Sequence, residues 1–154
     1  MSIKMIANNR KARFNYEILE VFEAGVALEG TEVKSLRAGK INLDDSYATV
    51  HFEELMWLNA NIPEYSHGNI HNHDPRRSRK LLMHRREIKR LIGITREKGL
   101  TLIPTRVYWK GSRVKVEIGV GKGKKLYDKR KTQETRDWQR DKERLLKEGG
   151  RGED

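Results

Sequence analysis

Residues 100–120 of the chain read LTLIPTRVYWKGSRVKVEIGV, two strand-like segments around a short polar turn. Leu100–Tyr108 and Arg113–Val120 are rich in Val, Ile, Thr and aromatic residues, which favour β-strands. Lys110-Gly111-Ser112 between them supplies a glycine where the chain must reverse. The pattern predicts a β-hairpin.

Two further hairpins are predicted from similar patterns upstream. Phe14–Phe22 is followed by Val26–Leu28 across a short Glu23-Ala24-Gly25 turn. Ser46–Phe52 and Leu55–Asn61 form the other pair around the acidic Glu53-Glu54. Six short strands with helices between them predict a mainly β fold, a small closed or half-closed antiparallel barrel.

Two helices are predicted between the strands. Thr31–Ala38 starts with a capping Thr31 and ends at Gly39, a residue suited to stop a helix. His84–Lys98 has apolar residues at helical spacing and Gly99 at its end. Its other face carries Arg85, Arg86, Lys89, Arg90 and Arg96.

The 154 residues, 36% of them apolar, suffice for one core, and the chain divides near the glycines of GVGKG at 119–123. Residues 1–120 hold nearly all the Val, Ile and Leu, so we expect one barrel domain there. Residues 121–154 are strongly charged, so we expect a tail.

The charge balance indicates the class of partner. Lys and Arg outnumber Asp and Glu by 33 to 22, which favours a polyanion, with nucleic acid ahead of an anionic membrane. No apolar run approaches the roughly 20 residues needed to span a bilayer, and no secretory signal precedes the domain. We therefore expect a cytoplasmic protein with no membrane partner.

Three basic clusters stand out, and aromatic residues accompany the first and the last. They are Arg10–Arg13 beside Phe14 and Tyr16, Arg76–Arg90, and Lys122–Lys131 around Tyr127. Each alone is compatible with a solvated surface. Together they favour RNA, because Lys and Arg neutralise phosphates and aromatic rings stack on bases. Phosphate contacts are also predicted at Lys34, Arg37, Arg76, Arg77, Arg79 and Lys80.

Catalytic patterns are weak. Absence of cysteine excludes disulfides, thiolate catalysis and cysteine-based zinc sites. Asp44-Asp45 is better explained by a turn or cap than by acid/base work, since neighbouring side chains on an extended backbone point apart. We expect His67, His71 and His73 to be loop residues with weak RNA-facing roles rather than zinc ligands. No enzyme activity, metal or cofactor is predicted.

Four longer segments resemble one known family. NRKARFNYEI at Asn9–Ile18, EAGVALEGTEVKSLRAGKINLDDSY at Glu23–Tyr47, RKLLMHRREI at Arg79–Ile88 and GKGKKLYDKR at Gly121–Arg130 are similar to the small protein B family. These are the SsrA-binding proteins, partners of transfer-messenger RNA. The resemblance runs in register from about Ile6 to Lys147.

The resemblance implies an oligonucleotide-binding-type barrel with three helices and a basic C-terminal tail that is disordered in the free protein. It also implies binding to the transfer-RNA-like domain of transfer-messenger RNA and its delivery to the A site of stalled ribosomes, the process called trans-translation. Elongation factor Tu is an expected further partner on the charged RNA. The protein is expected to be a monomer in complex with RNA.

On the barrel, the resemblance implies an RNA surface drawn from several segments. Its members are Asn9, Arg10, Lys11, Arg13, Tyr16, Glu23, Leu82 and Lys115. The cations would bind phosphate, the tyrosine would stack, and the carboxylate would accept hydrogen bonds from base or ribose donors. For Leu82, a core position ahead of the long helix is an equal alternative.

In the tail, the resemblance implies contacts with the small-subunit decoding centre and the message channel. Tyr127 would stack on a ribosomal base. The spacing of Trp138, Leu145 and Leu146 predicts a helix over about 132–147 that forms on binding. The implied ribosome-binding residues are Lys122, Lys124, Lys125, Tyr127, Asp128, Lys129, Arg130, Lys131, Trp138, Leu145 and Leu146.

Two other classes of function stay open at this level. A ribosomal protein or initiation-type factor on the same barrel would share the charge and the tail. A metal-dependent phosphodiesterase would use Asp44, Asp45 and the histidines.

Overall fold

A computed structural model describes residues 2–66, 72–97, 99–124, 138 and 140. The chain divides into two compact units, Met1–Gly123 and Lys124–Asp154. The described residues of the first unit form seven strands and three helices. They are β1 (Ile3–Asn8), α1 (Arg10–Asn15), β2 (Tyr16–Val26), α2 (Gly30–Arg37), β3 (Tyr47–His51), β4 (Glu54–Leu58), β5 (Arg79–Leu82), α3 (Arg85–Thr95), β6 (Leu100–Lys110) and β7 (Arg113–Gly123).

The strands form one antiparallel sheet that closes on itself. The order of neighbours is β1-β6-β3-β4-β5-β2-β7, and β7 also pairs with β6. Six strands therefore form a ring, while β1 extends the same edge of β6 that β3 uses through Ala48 and Leu102. This is the predicted mainly β barrel with helices, which is confirmed.

The hairpin of β6 and β7 closes the ring. Its pairs run from Leu100 opposite Lys122 to Lys110 opposite Arg113, and Gly111 takes the left-handed φ of 63° in the turn. The other edge of β7 pairs with β2, from Tyr16 opposite Gly123 to Gly25 opposite Lys115. The predicted hairpin is confirmed, although β7 continues to Gly123 rather than ending at Val120.

The interior of the ring is filled by alternate residues of each strand. On β7 these are Val114, Val116, Ile118 and Val120, each at most 8% exposed. They pack in one apolar cluster with other fully buried side chains. The largest of these are Trp57, Leu36, Leu55, Ile62, Leu81, Leu91 and Leu102.

A second, thinner layer lies on the outer face of β7, where two glycines leave room for neighbouring strands. A Cβ at Gly119 would lie 2.9 Å from Thr105 Cγ2, and one at Gly121 would lie 2.9 Å from Ile103 Cδ1. Side chains from β6 and β2 therefore meet across β7. Helix α1 is anchored to the same part of β6, because Asn9 N–H donates to the Thr105 carbonyl oxygen at 2.8 Å.

The first predicted hairpin is wrong. Residues Glu23–Gly25 are not a turn, since β2 runs unbroken from Tyr16 to Val26 and pairs with β7 as far as Gly25. Phe14 belongs to α1 rather than to the strand. The second hairpin is confirmed as β3 and β4, with its turn at Phe52-Glu53, one residue earlier than predicted.

Both predicted helices are present with altered ends. Helix α2 starts from Glu29, whose side chain and that of Glu32 form a capping box, so Thr31 is not the cap. Helix α3 is shorter than predicted and ends at Thr95. Strands β1 and β5 and helix α1 were not predicted from the sequence. None of the described helices is long and apolar enough to cross a membrane.

We predict opposite effects of adding one methyl group at two glycines. Gly119→Ala should lower the free energy of unfolding by about 1–3 kcal/mol, because the new Cβ overlaps Thr105 and Ile18. Gly93→Ala, in α3 with open space around it, should raise that free energy by about 0.5–1 kcal/mol. Urea unfolding of both variants measures the difference. Equal stabilities would contradict the close packing across β7.

Candidate nucleic-acid interface

Asn9 fixes the start of the basic helix α1. Its Oδ1 accepts a hydrogen bond from the Ala12 N–H at 3.1 Å, and its Nδ2 donates to the Pro104 carbonyl oxygen at 2.9 Å. The residue is 2% exposed. A side chain so enclosed cannot touch RNA in this fold, so the predicted contact at Asn9 is corrected to a capping role that positions its neighbours.

The rest of the first basic cluster is accessible. Arg10 and Lys11 are exposed, and Arg13 and Tyr16 are half-buried. Lys11 Nζ lies 2.8 Å from Asp45 Oδ1, and this hydrogen bond raises the pKa of Lys11. Tyr16 and Lys11 line one cleft of about 270 Å³. Helix α1 and the first residue of β2 thus present two cations and one aromatic ring beside a small depression.

The carboxylate of Glu23, on β2, is fixed by hydrogen bonds from two side chains of β6. Tyr108 Oη donates to its Oε2 at 2.5 Å, and Lys110 Nζ lies 3.1 Å from its Oε1. The Tyr108 hydrogen bond is the main reason that the pKa of Glu23 lies below its usual value. Burial, followed by the carboxylate, raises the pKa of Tyr108. Glu23 is therefore ionised at neutral pH and oriented, and it can still accept hydrogen bonds at the surface.

Leu82 and Lys115 lie on either side of Gly25. Gly25 pairs with Leu82 on β5 and with Lys115 on β7. Both side chains line a cleft of about 480 Å³ together with Trp109. Leu82 is 51% exposed, so the alternative that places it in the core is wrong. An exposed leucine and a cation share this end of the face.

These positions form one continuous strip across α1, β2 and β7. Arg13 Nη2 lies 3.8 Å from Glu117 Oε2, and Glu117 pairs with Glu23 in the ladder. Lys115 is close enough to Glu23 to help lower its pKa. Of the eight residues predicted for the RNA surface, Arg13, Glu23 and Lys115 therefore lie close together on this strip. Leu82 lies beside Lys115 on β5, and Lys11 and Tyr16 line a separate cleft. Asn9 is buried.

Strand β6 adds residues to this strip that the sequence analysis missed. Arg106, Tyr108 and Lys110 each contact a carboxylate of β2 or β7. The predicted hairpin could have indicated these residues, since it places β6 beside β7 and so pairs Arg106 with Glu117. Which side chains of β6 this pairing brings beside the carboxylates of β2 and β7 was not predicted.

The second basic cluster is used largely inside the fold. Arg79 is 0% exposed; its Nε forms an ion pair with Glu32, and its terminal nitrogens donate to the carbonyl oxygens of Ala60 and Pro75. Arg77 Nη2 also lies 2.5 Å from Glu32 Oε1. The predicted phosphate contact at Arg79 is therefore wrong, and Arg77 is mainly committed to this buried carboxylate.

Glu32 is the buried anion at the centre of this cluster. Burial alone would raise its pKa. Hydrogen bonds from Arg77, the Glu29 backbone N–H and Arg79 outweigh burial and hold the pKa of Glu32 below its usual value. The carboxylate is charged in the folded protein and ties α2 to β5.

The other predicted phosphate contacts lie at the surface. Lys34, Arg37, Arg76 and Lys80 are exposed. Lys34 Nζ sits 5.4 Å from the centre of the Tyr65 ring, and Lys80 Nζ lies 3.3 Å from Glu54 Oε1. Neither arrangement buries the cation, so each can still reach a phosphate.

The candidate catalytic residues do not converge. Asp44 and Asp45 form a turn, as expected, with the Asp44 N–H donating to Asn42 Oδ1 at 2.8 Å. His73 is 3% exposed and bonds Thr31 and the Ile62 carbonyl, so its predicted loop role facing RNA is wrong. His67 and His71 lie outside the described residues. Among the described residues, no group of three His, Asp or Glu side chains could hold a metal ion.

The tail predictions fall mostly outside the described residues. Lys122 is exposed on β7, and Trp138 is 64% exposed with helical backbone. Lys124 is half-buried. The positions not described are Lys125, Tyr127, Asp128, Lys129, Arg130, Lys131, Leu145 and Leu146.

Comparisons with known proteins agree on one family. The model of the SmpB protein family matches residues 6–148. An SsrA-binding protein from Magnetococcus marinus is 66% identical over 147 residues, covering 96% of this chain and 98% of that relative. One from Caulobacter vibrioides is 56% identical over 151 residues, covering 97% and 99%.

A solved structure is also similar. A chain from the work "tmRNA-SmpB: a journey to the center of the bacterial ribosome" matches with a TM-score of 0.67 and 50% identity. The match covers 78% of this chain and 85% of that chain.

We predict that the buried Glu32 cluster dominates acid stability. Glu32→Gln should cost about 3 kcal/mol at pH 7, because two arginines lose their ionised partner and Arg79 is fully enclosed. The lowered pKa means that the wild-type contribution is present above about pH 4.5 and is lost as pH falls through the folded-state value.

Urea unfolding at pH 7 and at successively lower pH measures both effects. Glu54→Gln is the matched control, since Glu54 is exposed and its ion pair with Lys80 contributes at most about 1 kcal/mol. If the two variants lose the same stability, the Glu32 cluster is not a structural anchor.

Proposed function

This chain belongs to the SmpB protein family, and from that membership and the surface of the barrel we propose that it binds transfer-messenger RNA through its transfer-RNA-like domain. It carries this RNA to the A site of stalled ribosomes for trans-translation. The observation that supports the proposal most is the strip on α1, β2 and β7, where cations, an aromatic ring and an oriented carboxylate lie together.

Each group on the strip suits a different part of an RNA. Arg10 and Lys11 are exposed cations for phosphates. Glu23, held ionised by Tyr108, accepts hydrogen bonds from ribose hydroxyls or from base amino groups. The half-exposed Leu82 contacts an unpaired base or a sugar, and Lys115 beside it binds the adjoining phosphate. The mixture favours a folded RNA over a bare polyanion, because a carboxylate repels phosphate.

The tail has a separate role in this proposal. Residues after Lys124 lie in the decoding centre and the message channel, with Tyr127 stacked on a ribosomal base. Lys125, Lys129 and Arg130 bind phosphates there. A helix over about 132–147 forms on the ribosome and seats Trp138, Leu145 and Leu146 against the channel. The tail therefore occupies the site that messenger RNA would fill, while the barrel binds transfer-messenger RNA.

The protein acts by binding, without catalysis and without a cofactor. It works in the cytoplasm, where ribosomes are, as a monomer on its RNA. Elongation factor Tu joins the charged complex. Family membership favours this function over a ribosomal protein or an initiation-type factor, and the enclosed His73 weakens the phosphodiesterase alternative.

We predict that Arg10→Ala with Lys11→Ala weakens binding to the transfer-RNA-like domain and flattens its salt dependence. Each lost phosphate contact should remove about one unit or less from the slope of log K against log salt. Filter binding at several salt concentrations measures this slope. A double variant with the wild-type slope would contradict the placement of α1 on RNA.

We predict that truncation after Lys124 separates the two roles. The cut leaves β7 complete, so the barrel should fold and bind the RNA with near wild-type affinity, while peptide tagging on stalled ribosomes is lost. Tyr127→Ala in the full chain should impair tagging without changing the melting temperature. Tagging by the truncated protein at the normal rate would exclude the proposed tail role.

A further inference from the structure

Glu117, on the outer face of β7, contacts two arginines through one carboxylate oxygen. Arg13 Nη2 of α1 lies 3.8 Å from its Oε2, and Arg106 Nε of β6 lies 3.5 Å from the same atom. The two guanidinium groups come from elements far apart in sequence. The carboxylate brings them together at the centre of the strip.

The carboxylate is itself held in place. Thr105 Oγ1 donates to Glu117 Oε2 at 2.5 Å, and Thr105 is fully buried under the glycine-lined layer of β7. Only 19% of the Glu117 side chain is exposed, whereas the arginine side chains are 39% and 42% exposed. Glu117 is therefore recessed, and the two cations stand above it at the surface.

Arg106 is oriented so that its outer nitrogens remain available. The contact with Glu117 engages Nε, the inner nitrogen of the guanidinium. Within the described part of the chain, neither terminal nitrogen of Arg106 has a hydrogen bond or an ion pair. The ion pair holds Nε without a hydrogen bond in the described part of the chain, and 42% of the Arg106 side chain is exposed. This arrangement suits bidentate contact with a phosphate through the terminal nitrogens.

We infer that Arg106 is a further RNA-binding residue and that Glu117 is a positioning residue that sets Arg106 and Arg13 side by side for one phosphate group. The inference deepens the proposed function and rests on it, since the RNA is the transfer-RNA-like domain. Two cations against one recessed carboxylate leave a net positive charge at the site. The carboxylate lowers the total charge and supplies orientation, which favours a specific RNA over any polyanion.

Four single variants test the inference in the full-length protein, with two RNA probes. The probes are the transfer-RNA-like domain as a transcript and an unrelated RNA duplex. Arg106→Ala should weaken binding to the first probe about tenfold and reduce its salt slope by about one. Arg96→Ala, the same change at an exposed position just after α3 and outside the three basic clusters, is the matched control and should alter neither quantity.

Glu117→Gln separates orientation from charge. The variant loses one negative charge, so its net charge is more positive by one. If Glu117 acts only through its charge, the variant should bind both probes more tightly. If Glu117 positions the arginines, affinity for the transfer-RNA-like domain should fall about fivefold while duplex binding holds or rises. Thr105→Val removes the anchoring hydroxyl with no change in charge and should lower the same affinity about twofold to threefold. Melting temperatures of all variants establish that they are folded.

The outcomes distinguish this inference from the proposed function. A wild-type protein that binds the duplex as well as the transfer-RNA-like domain would overturn the proposed function. An Arg106→Ala salt slope equal to that of Arg96→Ala would overturn the phosphate contact, whichever RNA is bound. Tighter binding of Glu117→Gln to both probes would overturn the positioning role of the carboxylate.

Discussion

The pairing of β7 on both of its edges is the constraint on which the rest of the structure depends. One edge joins β6 along the closing hairpin, and the other joins β2 over nearly its whole length. Closure pairs the two outer strands of the six-strand ring with each other, so that their edges are not available to pair with other chains. It also divides the side chains of β7 between the apolar interior and an outer face, and that outer face carries part of the strip proposed to bind RNA.

Two carboxylates on the outer face of the barrel orient the basic side chains around them. Glu23 and Glu117 are opposite each other on β2 and β7, and each accepts a hydrogen bond from a hydroxyl of β6. Each also contacts basic side chains, so neither acts as an isolated negative charge. Exposed arginine and lysine side chains have many rotamers, and ordering them on binding has an entropic cost. Carboxylates that are themselves fixed by hydrogen bonds restrict these side chains in the free protein, which reduces the entropic cost of binding.

Much of the fold could be predicted from the sequence, and the failures have identifiable causes. The hairpin at 100–120 was recognisable because both strands are rich in residues that favour β-structure and a glycine marks the turn. Glu23-Ala24-Gly25 suggested a turn, but cross-strand pairing with β7 overrides that local preference. Helix α1 has only six residues, too few for a periodic signal, and depends on Asn9 reaching the carbonyl oxygen of Pro104. Such long-range hydrogen bonds leave no local pattern.

The candidate site was also predictable only in part. Exposed cations such as Arg10 and Lys11 were identified from charge and family resemblance. The same reasoning could not separate them from Arg79, since an arginine with a buried acidic partner looks identical in sequence until Glu32 is placed beside it. Leu82 could not be assigned to the core or the surface either, because its direction depends on the register of β5 against Gly25.

Because β7 is the last strand of the ring, the nascent chain cannot complete the barrel until Gly123 has left the exit tunnel during synthesis. The outer face of β7 therefore forms only after every strand of the ring has been synthesised, so a copy that stops before Gly123 would lack the strip proposed to bind RNA.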